Sequence, residues 1–158
     1  MKSPQRVVVG LLLSIVMAGL SFAQTSDEVM ARVQQTKEAA AENALQTFAR
    51  INRAEHPYKD ADNPSLYVFV LDTELTVIAH PIRTQTIGTS LKGKPDAKGK
   101  MFRDEMLAIA LKDGRGWVDY HFVNPKTNEL AHKTSYFELV KGSDGKDYII
   151  GSGKYFDD

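Results

Sequence analysis

No cysteine occurs anywhere in the 158 residues of this chain. That absence removes disulfide staples, thiol nucleophiles and cysteine-based metal sites together, so packing alone must hold the fold. Net charge is lacking as well, with 20 Lys and Arg against 20 Asp and Glu. Without a basic excess or a Lys/Arg cluster there is no electrostatic footprint for a nucleic acid. The longest run of apolar and small residues, 7–20, has 14 members, short of the roughly 20 that a membrane-spanning helix needs. Catalytic signatures are equally scarce. There is no G-x-S-x-G elbow for a nucleophile, and no two histidines stand three or four apart, the spacing that places two ligands on one helix face. No cofactor motif is present either.

What the N-terminus does contain is an export pattern. Lys2 and Arg6 precede the apolar run, and "LSFAQ" puts Ser21 and Ala23 at the small positions that a signal peptidase reads. Cleavage after Ala23 and a periplasmic product are expected, with an uncleaved N-terminal anchor as the alternative. Residues 24–158 then form one domain with a single core. Losing Lys2 and Arg6 leaves that product 18 basic against 20 acidic residues.

Residues 25–54 contain neither Gly nor Pro. "TSDE" is a capping box led by Thr25, and Val29, Val33, Ala40, Ala44, Leu45, Phe48 and Ile51 recur at helical spacing. One long helix is predicted, ended by the turn formers of "HPYKDADNP". The apolar period then changes to two. Residues 66–71 are apolar on both faces, as in a central strand, and "LDTE" turns the chain into a second strand over residues 75–80. A loop over residues 81–100 leads to a short helix at 101–111. Three more strands are expected at 116–123, 130–140 and 148–155, separated by "NPKTNE" and "GSDGK". The sum is an α+β domain, a five-stranded antiparallel sheet with helices on its faces. The long helix can cover one face, whereas the loop and short helix cover the other only in part, which is where a small-ligand pocket would form.

"GKPDAKGKM" fails as a phosphate loop on spacing and on Met101 standing where a hydroxyl is needed, so it reads as a solvated loop. The glycines of "GSG", Gly151 to Gly153, lie inside a strand pattern and mark a bulge or a close backbone approach. Of four histidines only the pair His80 and His121 stays open as a metal site. The informative stretch is "ELAHKTSYFELV", where Lys133 stands amid the more apolar alternate positions. It either snorkels to water or is held to receive an anion. On the preceding strand Trp117 and Tyr120 are aromatic bodies with polar tips.

Taken in order, "LYVFVLDTELTVIAHP", "IGTSLKGKPDAKGK", "GRGWVDYHFVNPKTNELAHKTSYFELV" and "YIIGSGKY" resemble the single Cache domain family over residues 66–155. One departure is Glu74 in the first hairpin, where the family pattern has Gly. The resemblance implies an extracytoplasmic sensor with a PAS-like sheet that binds a small organic acid or an amino-acid-like ligand. It also implies a membrane receptor or histidine kinase as partner, here for a free-standing module that ends at Asp158. Carried over by motif, the ligand-binding residues are His80, Trp117, Tyr120, Lys133 and Tyr136. Trp117 and Tyr120 differ by an odd number on one strand, as do Lys133 and Tyr136, so without a bulge one of each pair faces away. Lys133 is the preferred member. The competing function is a ligand-free interaction protein that docks through the long helix. That helix's Ala-rich stripe, if only partly covered, would also support weak homodimerisation.

Overall fold

The computed structural model describes residues 25–156. The expected signal peptide, residues 1–23, and its cleavage site lie outside the described residues. Helix α1, Ser26–Asn52, begins at the anticipated capping box: the Thr25 hydroxyl accepts from the Glu28 amide, and the Glu28 carboxylate accepts from the Thr25 amide. The long helix is broken once, at Asn43, whose φ and ψ are −153° and 91°. Asparagine is a strong N-cap, and the Asn43 side chain accepts from the Gln46 amide to restart the helix. Ser143, in the turn before the last strand, fills the break. Its hydroxyl accepts from the Ala44 amide, while its own amide donates to the Ala40 carbonyl. The unbroken helix read from the sequence is corrected at this point, because a tertiary partner satisfies the freed backbone groups.

Five strands follow, β1 (Val68–Asp72), β2 (Val77–Ala79), β3 (Arg115–Val123), β4 (Leu130–Lys141) and β5 (Asp147–Tyr155), with α2 (Phe102–Asp113) before β3. They form one antiparallel sheet in the order β2-β1-β5-β4-β3. This is the expected α+β, PAS-like arrangement. Each face has its own core. Against α1 lie Val68, Val70, Tyr136, Val140 and Ile150. Against α2 lie Phe69, Leu71, Val118, Tyr120, Phe137 and Ile149. Alternate residues of one strand thus enter different cores, which is why β1 is apolar on both sides.

The Ala-rich stripe of α1 is covered except at Leu45: Val29, Val33, Ala40, Ala44 and Ile51 have no exposed surface, whereas Leu45 is 74% exposed. On its outward face Ala31, Ala41 and Leu45 stand exposed among polar residues. The apolar surface that the helix leaves for a dimer or a docking partner is thus centred on Leu45 and is small. No helix among the described residues is long and apolar enough to cross a membrane.

The loop before α2 is more than a solvated linker. The Asp96 side chain is 1% exposed and accepts from the amides of Lys98, Lys100 and, on the open edge of β3, His121. Burial alone would raise its pKa, but these backbone donors prevail and lower it. Lys100 donates to the neighbouring Asp119 carbonyl. Two outward groups of the edge strand are thereby closed to another strand.

Candidate functional site

Between the α2 face of the sheet and the loop after β2 lies a cavity of about 90 Å³. Strand alternation supplies its floor, with Tyr67, Phe69 and Leu71 from the β1 segment and Tyr120 and Phe122 from β3. Phe102, Arg103 and Met106 come from one side of α2, and His80, Arg83, Thr86 and Leu91 from the loop.

The "GSG" of β5 makes the floor possible. A Cβ on Gly151 would stand 2.3 Å from the Phe69 ring. One on Gly153 would stand 2.7 Å from Lys133 Cε, 2.5 Å from the Thr134 carbonyl oxygen and 2.2 Å from Ser135 Oγ. The two glycines form a trench across the central strands that receives the Phe69 ring and the stem of Lys133. This is the close approach, not the bulge.

His80 has both a structural and a cavity-facing role. Asn52, at the end of α1, accepts from its backbone amide, and its Nδ1 accepts from the amides of Ile82 and Arg83. With Nδ1 an acceptor, the proton resides on Nε2 as a donor. Burial, reinforced by the charges of Lys133, Arg83 and Arg103, pushes the pKa of His80 down to about 3. The imidazole is therefore neutral at physiological pH. The unfolded chain takes up a proton near pH 6.5 that the folded chain refuses until about pH 3. The stability that His80 contributes is thus complete above pH 6.5 and is lost on acidification through that window, at about 1.4 kcal/mol per pH unit. His80→Asn keeps an acceptor for the turn and is expected to flatten the slope by that amount, read as urea-unfolding free energy of the two proteins between pH 6.5 and 4.

Lys133 is 1% exposed, so the snorkelling alternative is set aside. Its Nζ donates to the Tyr67 hydroxyl at 2.8 Å and sits 4.1 Å from the Tyr67 ring centroid and 5.0 Å from that of Tyr155. Lys133 is not among the residues that line the cavity, whereas its acceptor Tyr67 is, so it is corrected from a ligand contact to a support of Tyr67. Burial raises the pKa of Tyr67 well above its usual value, so the phenol stays protonated. Tyr120 is on the cavity face, stacked on Phe102 at 3.9 Å with its hydroxyl 2.8 Å from Ser135 Oγ.

Trp117 and Tyr136 are elsewhere. They are cross-strand partners, as Tyr120 and Lys133 are, but Trp117 and Tyr136 face α1, while Tyr120, on the opposite face of the sheet, lines the cavity. Neither strand has a bulge between them, so alternation holds. Trp117 packs 5.3 Å from Tyr136, whose hydroxyl donates to Glu138; Lys37 of α1 pairs with the same carboxylate at 2.7 Å. Both aromatics are corrected from ligand contacts to parts of the α1 interface. His121 likewise turns away from the cavity and stacks on His132, which separates it from His80. Among the described residues no group of three or more potential ligands could hold a metal ion.

Two residues that the sequence reading missed dominate the electrostatics. The Arg103 guanidinium lies 4.1 Å from the Phe102 ring centroid, and that of Arg83 lies 4.2 Å from that of Phe122. Neither has an acidic partner within ion-pair distance among the described residues, and no Asp or Glu lines the cavity. Burial, and further the charge of Arg83, lowers the pKa of Arg103, yet an arginine remains cationic. A signal was available for Arg103. Its nearest acids, Asp104 and Glu105, are one and two positions away, where they do not face it on a helix.

Among known proteins, residues 17–158 match the family model described as Single Cache domain 2. The chain is 33% identical over 123 residues to the methyl-accepting chemotaxis protein McpP of Pseudomonas putida, which covers 78% of this chain. It spans only 20% of that relative's length. In fold it is similar to a Cache chemosensory domain solved for carboxylic acid recognition, with a TM-score of 0.66 and 24% identity over 83% of this chain and 92% of that one. A methyl-accepting chemotaxis protein from Vibrio parahaemolyticus gives 0.65 and 18% over 83% and 88%. At these identities the two structures speak for the fold.

Proposed function

Because the chain belongs to the single Cache domain family, a family of ligand-binding sensor modules, we propose that it captures a short organic carboxylate in the cavity between Arg83 and Arg103. The observation that carries this reading is a cavity with two guanidiniums and no acid. A site of this kind favours an anion, and a charge-assisted bond to a partly desolvated guanidinium is the strong kind. The neutral Nε2–H of His80 adds a donor, while Leu71, Val77, Leu91 and Met106 offer an apolar end. Size narrows the class further. A 150 Å³ cavity holds benzene, so about 90 Å³ suits roughly four or five non-hydrogen atoms, the size of acetate or propionate. An amino acid would bring an ammonium for which the lining has no carboxylate. The likeness to a domain that recognises carboxylic acids supports the same class.

In this reading the module works in the periplasm and presents its occupied state to a membrane receptor or histidine kinase. A thermal-shift series with acetate, propionate, lactate and succinate, and with glycine and alanine for comparison, tests the ligand class. At a hundredfold excess over Kd the stabilisation is about 2.7 kcal/mol, on the order of 10 °C for a domain of this size. The acids are expected to shift the transition more than the amino acids. No shift with any acid would overturn the proposal.

A further inference from the structure

We propose that the preferred ligand is a short dicarboxylate whose second carboxylate occupies an outer chamber beside the first; this rests on the carboxylate reading above. A second cavity of about 210 Å³ adjoins the first and shares Tyr67, His80, Arg83 and Phe122 with it. The Arg83 guanidinium, laid on Phe122, stands in the wall between the two. Arg103 lines only the inner chamber. The outer one adds the amides of Gln85 and Asn128, and it too has no acidic residue in its lining.

Charge and volume agree on what fits. A monocarboxylate bound at Arg103 fills the inner chamber but leaves the outer side of Arg83 facing water. A dicarboxylate places one anionic end at each guanidinium. A four-carbon diacid, with about eight non-hydrogen atoms, exceeds an inner chamber sized for about four or five and must extend past Arg83. There the two amides are donors suited to the second carboxylate. Asn128 is held for this by its turn. Its backbone N–H donates to the Asn124 carbonyl, its φ is +61°, and the Asn124 side chain accepts from the buried Ser65 hydroxyl.

Calorimetric titrations of the full chain with succinate and with butyrate, which have equal carbon number, test the proposal. Succinate is expected to bind at least tenfold more tightly. Gln85 is exposed, so Gln85→Glu should fold normally while placing a like charge at the outer chamber, and it should bring the succinate-to-butyrate ratio close to one. Succinate binding no tighter than butyrate, or a ratio that Gln85→Glu leaves in place, overturns the dicarboxylate assignment and leaves the carboxylate reading standing. If neither these acids nor acetate or propionate bind, both fall.

Discussion

Arg103→Met is expected to weaken carboxylate binding about ten- to a hundred-fold and to leave the fold as stable as before or more so. The guanidinium has no carboxylate partner of its own and lies against Phe102. Methionine keeps the stem on that ring and removes a charge that is costly to hold half-buried and unpaired. The ligand, by contrast, loses a charge-assisted contact worth about 1.5–3 kcal/mol. The two effects have opposite signs, which separates a binding role from a structural one. Calorimetry with propionate and urea unfolding of the free protein measure them. Equal affinity in the variant, or a free protein destabilised in step with lost binding, would remove Arg103 from the site.

The second large effect is on stability. Gly153→Ala in a strand interior would ordinarily help, since alanine loses less backbone entropy on folding. Here the new Cβ meets the Thr134 carbonyl oxygen and Ser135 Oγ as well as Lys133 Cε, and a backbone oxygen on a central strand cannot yield cheaply. A loss of about 1–3 kcal/mol is expected, seen as a lower urea midpoint at unchanged slope. Carboxylate affinity should fall too, because the displaced Lys133 stem carries the donor to Tyr67. A gain in stability would show that the trench is not tightly filled.

The architecture was legible in the sequence because periodicity is a local property. Two helices and five strands fall where spacing put them, and the odd separations of Trp117 from Tyr120 and of Lys133 from Tyr136 already implied that each pair divides between faces. Which face held the cavity was not local. It depends on α2 and the loop after β2 lying over Tyr120 and Lys133, while α1 buries Trp117 and Tyr136. Arg83 and Arg103 were hidden for a related reason, since an arginine in a loop or beside an apolar helical stripe looks like a solvated charge until its missing acid partner is noticed. The helix break at Asn43 needed Ser143, a hundred residues further on. His80 was visible from the strand that ends in His-Pro, but its tautomer is set by the amides of Ile82 and Arg83.

The central claim is that the inner chamber holds a carboxylate by its charge. Calorimetric titration of the full chain with propionate and with propionamide, a neutral molecule of the same size and shape, tests it most directly. Propionate should bind with one-to-one stoichiometry and propionamide at least tenfold more weakly, the worth of a charge-assisted contact. Equal affinity for the two, or no heat from propionate, would contradict the account.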